Sequence, residues 1–215
     1  MEIKGLFKGI IKDYDRMNAI MSLGFHNRWR LDCVKSAKFQ GKILDIGCGT
    51  GDFCLQIKKC TNVSVFGMDI LEDMLRVARK KEKISPIVGN ALFLPFKSSV
   101  FDGITLGFVL RHIDIPVFLK EAMRVLKPCG KLVILELSFP KKRFIRFFFK
   151  IYLYKLIPFI AKFLSDEPSY IYLGESLRHL PEIEDLEEMA YKSGAKNVTI
   201  KKFMFGSIFF LLAVK

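Results

Sequence analysis

The sequence predicts an α/β fold, a mostly parallel sheet with helices on both faces and a ligand crevice at the carboxyl ends of its strands. Three observations predict it. Residues 42–52, Lys-Ile-Leu-Asp-Ile-Gly-Cys-Gly-Thr-Gly-Asp, run from an apolar strand through three glycines into a helix start, the order that makes a nucleotide-sized crevice. From Ile43 onward, candidate strands alternate with candidate helices at the spacing of parallel strands joined by right-handed crossovers. The chain has 215 residues and is 51% hydrophobic, which excludes a disordered chain and is enough for one domain with appendages.

In chain order, the first forty residues precede the sheet and read as helices. Leu6, Phe7, Ile10, Ile11 and Tyr14 fall at helical spacing, with Lys4, Lys8 and Lys12 on another face. That helix suits a lid, a surface-seeking element or a packing helix. Strands are expected at 42–46, 63–69, 86–89, 101–108 and 131–137, and helices at 53–60, 71–82 and 115–126. Asp52 is available to cap the first of these helices and Asp114 the third. A helix at 184–192 then precedes two strands, 198–203 and 208–214, around Phe205-Gly206-Ser207. The expected organisation is an N-terminal helical segment (1–40), a core (41–138), a basic amphipathic helical insert (139–181) and a closing helix and hairpin (182–215).

The glycine stretch departs from the dinucleotide pattern G-x-G-x-x-G, because Asp52 stands at the last of those positions. Asp45-x-Gly47-x-Gly49-x-Gly51 instead resembles the first motif of class I S-adenosylmethionine methyltransferases. A carboxylate before the turn suits a cationic sulfonium and α-ammonium better than a pyrophosphate. Asp69 ends the second expected strand, where a carboxylate can accept both ribose hydroxyls, with Ile70 beside it. Asn90 and Ala91 follow the third strand, and an amide there can serve both edges of an adenine, although Asn90 alone reads equally as a turn residue. The resemblance implies a seven-stranded sheet closed by the terminal antiparallel hairpin. It also implies S-adenosyl-L-methionine contacts at Thr50, Asp69, Asn90 and Ala91. Where Gly107 stands the family usually has serine, so that hydroxyl contact is either missing or replaced by backbone.

A second resemblance is narrower. Tyr14-Asp15-x-Met17-Asn18-x-x-Met21-Ser22-Leu23-Gly24-x-His26-x-x-Trp29-Arg30 is similar to the N-terminal segment of the ubiquinone and menaquinone biosynthesis C-methyltransferases of the UbiE type, and the likeness continues to the C-terminus. It implies methylation of a ring carbon in a polyprenyl quinol precursor. The family usually has glycine at Val109 and Cys129 and asparagine at His112. Ring methylation needs an electron-rich carbon aimed at the methyl group, and then removal of the ring proton. Arg111 stays protonated, so it suits stabilising a phenolate or orienting water. His112, titrating near neutrality, is the expected base, with a surface or core histidine as the alternative. Tyr14, Asp15 and His26 are secondary candidates. Tyr170, Tyr172 and Ser176 lie in a stretch that, by the resemblance, helps build the quinol pocket.

Residues 141–162 carry seven cations and no acid, interleaved with Phe, Ile, Leu and Tyr. Aromatics between cations can stack bases or sink into lipid headgroups, and the density of Phe, Ile and Leu favours lipid. The alternative is packing on the sheet or on a second subunit of a homodimer. A net charge of +13 points to an anionic partner, nucleic acid or membrane surface. Against nucleic acid as substrate, there is no Asn/Asp-Pro-Pro-Tyr motif for a flipped base and no catalytic cysteine in a Pro-Cys context. Five cysteines without C-x-x-C and three histidines without His-x-x-x-His predict no disulfide framework and no metal site. Residues 1–8 lack a signal-peptide core and no charge-free stretch is long enough to span a bilayer, so the expectation is a cytoplasmic chain, peripheral at the inner face of the membrane.

Overall fold

Ile43, Leu44 and Ile46 lack the alternation of a half-exposed strand, and all three are buried in β1 (Lys42–Ile46), an interior strand of the sheet. The computed structural model describes residues 9–81, 84–164 and 167–215. Leu6, Phe7, Lys4 and Lys8 of the expected first helix lie outside the described residues, as does Glu82 at the end of the expected 71–82 helix. The N-terminal helices are α1 (Tyr14–Met21) and α2 (His26–Ala37). After β1 come α3 (Asp52–Cys60), β2 (Ser64–Asp69), α4 (Glu72–Lys81) and β3 (Ser85–Val88). Then follow β4 (Phe101–Gly107), a 3-10 turn at Leu110–His112, α5 (Ile115–Val125) and β5 (Leu126–Leu137). Asp114 caps α5 as expected, accepting the Val117 N–H at 3.0 Å.

The basic segment forms α6 (Arg143–Ile151), a π turn at Tyr152–Leu156 and α7 (Ile157–Leu164), followed by α8 (Glu167–Ser176). The chain closes with α9 (Ile183–Lys192), β6 (Asn197–Phe203) and β7 (Ile208–Val214). The seven strands lie in the order β3-β2-β1-β4-β5-β7-β6, and β7 runs antiparallel to both neighbours. Strand β5 begins five residues earlier than the spacing suggests. Leu126 pairs with Phe101 directly on leaving α5, and an irregularity in the pairing then absorbs the Pro128-Cys129-Gly130 corner.

Side chains alternate between the two faces. Leu44, Ile46, Leu106 and Phe209 pack under α5 and α9, with Phe118, Leu119 and Leu186. Ile43, Val65, Val133 and Phe210 pack under α2, α3 and α4, with Val34, Ile57 and Leu75. A separate cluster of Met17, Ile157, Ala161 and Tyr170 joins α1, α7 and α8 into a cap. Cap and sheet meet around a cavity that opens where β1, β2 and β4 end.

Candidate active site

The glycine turn after β1 has Gly47, Gly49 and Gly51 at φ 63°, 53° and 89°, conformations that side chains resist. A Cβ at Gly47 would lie 2.5 Å from Val109 Cγ2, so only glycine fits there. Asp69, at the end of β2, braces the turn: Oδ2 accepts the Gly49 N–H at 2.8 Å and Oδ1 accepts the Leu71 N–H at 2.9 Å. Burial raises its carboxyl above the usual range, against the opposing effect of these backbone donors. Each oxygen keeps a second acceptor direction for a ligand hydroxyl.

Asp52 does not cap α3. Gly51 occupies the cap position, and Asp52 is the first helical residue, with its carboxylate 3.1 Å from Lys81 Nζ and 3.8 Å from Arg30 Nη1. The two cations draw the side chain away from the helix's own N–H groups. Asp45 lies beneath the turn with both oxygens engaged, by Thr105 Oγ1 at 2.7 Å and Cys54 Sγ at 3.2 Å. Burial pushes its carboxyl up to about 6. Asp45, Thr50 and Gly107 line a small recess beside the main cavity. The Thr50 hydroxyl donates to Asp15 Oδ1 at 2.6 Å, and Lys81 Nζ pairs with Asp15 Oδ2, which ties α1 to the turn and to α4.

The main cavity has a volume of about 850 Å³. Of the residues expected at a cofactor, Gly47, Gly49, Asp69, Ile70, Asn90 and Ala91 line it, whereas Gly51 lines neither cavity nor recess. Asn90 spends its carboxamide oxygen on the Leu92 N–H at 2.9 Å, the turn role read as its alternative. Of the residues expected at chemistry or substrate, Tyr14, His26, Arg111, His112, Tyr170 and Tyr172 line the same cavity. Asp15 and Ser176 do not; Ser176 is buried within α8 and donates to Leu173 O at 2.9 Å. The Tyr14 phenol is raised by burial, against a hydrogen bond with Asn18. His26 Nδ1 lies 2.6 Å from Ser22 Oγ, and burial and the Arg30 charge lower its pKa.

The expectation that His112 titrates near neutrality is overturned. Burial, then the adjacent Arg111 charge, push its pKa down to about 3. Its ring stacks on Tyr172, with centroids 5.6 Å apart and planes 18° apart, and Nδ1 lies 3.4 Å from the tyrosine hydroxyl. A neutral imidazole of such low basicity positions a ring or shares a hydrogen bond; it is a poor acceptor of a full proton. Sequence reasoning missed three partners that complete the site. Glu136 holds Arg111, Thr105 holds Asp45, and Lys81 holds Asp15. None carries a local motif, and each meets its partner only through strand or helix pairing.

A run of five parallel strands extended by the antiparallel β7 and by β6, a glycine turn after β1 and an acid closing β2 define a class I S-adenosylmethionine-dependent methyltransferase. Solved structures share this fold: a SAM-dependent methyltransferase from Thermotoga maritima, described as a possible histamine N-methyltransferase, has a TM-score of 0.72 and 20% identity, covering 99% of this chain and 100% of its own. Phosphoethanolamine N-methyltransferase 2 of Haemonchus contortus, in complex with S-adenosyl-L-methionine, has a TM-score of 0.66 and 19% identity over 87% of this chain and 52% of its own. The chain belongs to the ubiE/COQ5 methyltransferase family, whose model matches residues 1–215. It is similar to the demethylmenaquinone methyltransferase of Anoxybacillus flavithermus, 37% identical over 94% of this chain and 90% of the relative. It is also similar to the ubiquinone/menaquinone biosynthesis C-methyltransferase UbiE of Rickettsia prowazekii, 36% identical over 96% of this chain and 89% of the relative.

Proposed function

We propose that this chain methylates a ring carbon of a polyprenyl quinol precursor; its relatives bear the names demethylmenaquinone methyltransferase and ubiquinone/menaquinone biosynthesis C-methyltransferase. The observation that carries the reading is one continuous cavity. It is lined by the glycine turn and Asp69, by Arg111 and the His112–Tyr172 stack, and by apolar side chains from Ile10, Leu153, Ile157 and Leu173. Polar, aromatic and apolar lining groups match a cofactor, a quinol ring and a prenyl tail.

The cradle fits S-adenosyl-L-methionine: a Cβ at Gly47 would fill the turn, and the Asp69 oxygens keep acceptor directions at the strand end. Gly47, Gly49, Asp69, Ile70, Asn90 and Ala91 are the residues that would hold it, with Asp45, Thr50, Gly51 and Gly107 shaping the turn from behind. When bound, it supplies an electrophilic methyl group on a sulfonium. Arg111, always cationic, stabilises the phenolate that raises electron density at the reacting carbon. The neutral His112 and Tyr172 hold the ring in plane, and Tyr14, His26 and Tyr170 enclose it; water takes the ring proton.

We further propose that the chain works at the cytoplasmic face of an anionic membrane, where such a substrate resides. No helix among the described residues is long and apolar enough to cross a bilayer. Support comes from α6, which buries none of its residues and exposes Phe144, Phe147 and Phe148 among Lys142, Arg143 and Lys150. The test is transfer of labelled methyl from S-adenosyl-L-methionine to reduced demethylmenaquinol and to the ubiquinone precursor, with and without phosphatidylglycerol vesicles. Label on either quinol, stimulated by vesicles, is the expected outcome. No label on either, with cofactor binding demonstrated by titration, would overturn the substrate reading.

A further inference from the structure

The turn between β6 and β7, Met204–Gly206, has features that closing a sheet does not require. Met204 and Phe205 sit in the left-handed region at φ 47° and 57°, although neither is glycine or asparagine. A two-residue excursion of this kind persists only where the surroundings hold it, and such strain clusters at working surfaces. Its result is display: Phe205 is 81% exposed, the highest value for a large hydrophobic side chain among the described residues.

The tip is anchored to the residues that lead into α6. Ser138 Oγ donates to Gly206 O at 2.6 Å, and Ser138 N donates to Ser207 O at 2.9 Å. Arg146 of α6 donates from Nε to Pro140 O at 2.8 Å, so the helix is tied to the same short segment. Met204 from the tip and Phe149 from α6 both line the main cavity. The flanking segments carry exposed cations, Lys141, Lys142, Arg143, Lys201 and Lys202, of which Lys201 Nζ donates to Ser36 Oγ of α2 at 3.2 Å. Of the neighbouring carboxylates, Glu184 is paired with Lys141 at 2.6 Å and Lys202 at 3.7 Å, and Glu182 also lies within the field of Lys141. An apolar point displayed by a strained turn, flanked by cation-bearing segments and fixed beside an aromatic basic helix, matches the chemistry of a headgroup layer over acyl chains.

We propose that the Met204–Phe205 tip is a second lipid-inserting element, which works with α6 to seat the cavity mouth on an anionic bilayer. This role rests on the membrane reading above and adds to it a named contact outside the basic segment. Two anchors fix an orientation that one amphipathic helix leaves free to roll, so a prenyl quinol can pass from the bilayer into the cavity along one path.

Three full-length variants test it: Phe205→Trp at the tip, Phe147→Trp on α6, and Tyr191→Trp at the end of α9, which leads into the opposite end of β6. Each is mixed with phosphatidylglycerol/phosphatidylcholine vesicles carrying brominated acyl chains, and tryptophan quenching is read against the unmodified chain, whose one tryptophan, Trp29, is buried. Strong quenching is expected for Phe205→Trp and Phe147→Trp, and none beyond background for Tyr191→Trp. Phe205→Asp is expected to lose vesicle flotation several-fold with its thermal midpoint unchanged. Quenching of Phe147→Trp alone overturns the tip as an anchor and leaves the α6 contact standing. Quenching of none overturns the membrane reading itself. A blue shift of Phe205→Trp that grows with protein concentration in the absence of vesicles would mean that a second copy of the chain covers the tip, which also overturns the inference.

Discussion

Arg111 and Glu136 form a buried ion pair at the wall of the cavity, Nη1 donating to Oε1. Glu136 is fully buried on β5, and the same Oε1 accepts the Leu137 N–H at 2.9 Å. Burial raises the carboxyl and the Arg111 charge opposes that rise. Removing one member of a buried pair costs about 3–5 kcal/mol, because the other charge stays behind. Glu136→Ala is therefore expected to lower unfolding free energy by about that amount and to end turnover. Glu136→Gln keeps an acceptor for Leu137 and should remain folded. It is expected to lose roughly tenfold or more in turnover, since hydrogen bonds to charged groups are worth about 1.5–3 kcal/mol. Denaturant titration beside a methyl-transfer assay separates the two effects. A Glu136→Gln enzyme at full rate would remove the pair from the mechanism.

Asp45 sets a pH dependence whose sign follows from its surroundings. Its carboxyl rises from an ordinary 3.8 to about 6 in the folded chain. A group raised on folding adds stability that is fully present below the unfolded value and is lost as pH climbs through the folded one. A rise of that size corresponds to about 3 kcal/mol at most. Between pH 4 and pH 7 the cofactor-free protein should thus lose stability, and Asp69 and Glu136, both raised by burial, act in the same direction. Asp45→Asn keeps the Thr105 donor satisfied and should flatten that slope. Melting curves over this range for both proteins check it; parallel slopes would show that Asp45 is not the source.

His112 should leave no mark on the acid limb of turnover. With its pKa near 3 the imidazole is neutral at every working pH. His112→Asn is expected to keep activity within about fivefold, as the loss of one ring contact of about 0.5–1 kcal/mol would give. A limb near pH 6.5 in the unmodified enzyme, absent from His112→Asn, would restore the histidine as the base.

What could be read in advance was local. Ile43, Leu44 and Ile46 followed by glycines announce a strand buried on both faces and a turn. Asp114 before Ile115 and Pro116 announces a helix start, because the signal and its structural consequence lie within a few residues. The site partners are not local. Thr105 reaches Asp45 only when β4 pairs with β1, and Glu136 reaches Arg111 only across the β4–β5 edge; in sequence it is one more residue between Leu135 and Leu137. The shift of His112 needs burial beside Tyr172, sixty residues away. The left-handed turn at Met204 and Phe205 escaped notice for another reason: it lacks the glycine or asparagine that normally marks such a conformation.

Lys81 provides the last test, because it joins three elements at once. Its ammonium pairs with Asp15 of α1 and lies 3.1 Å from Asp52 of α3, while Thr50 donates to the other oxygen of Asp15. This knot holds Tyr14 over Gly49, where a Cβ would come within 3.8 Å of the ring. Asp15 and Lys81 are partly exposed, so screening by water and salt limits each pair to about 1 kcal/mol or less. Lys81→Met should weaken cofactor binding by about fivefold, the equivalent of that energy, while leaving the sheet intact. The loss should shrink as salt rises, because salt already screens the pair in the unmodified protein. Calorimetric titration of S-adenosyl-L-methionine at low and high ionic strength reads both effects. Equal affinity of the two proteins at low salt would mean that the α1 cap is held over the turn by its apolar contacts with α7 and α8, and not by charge.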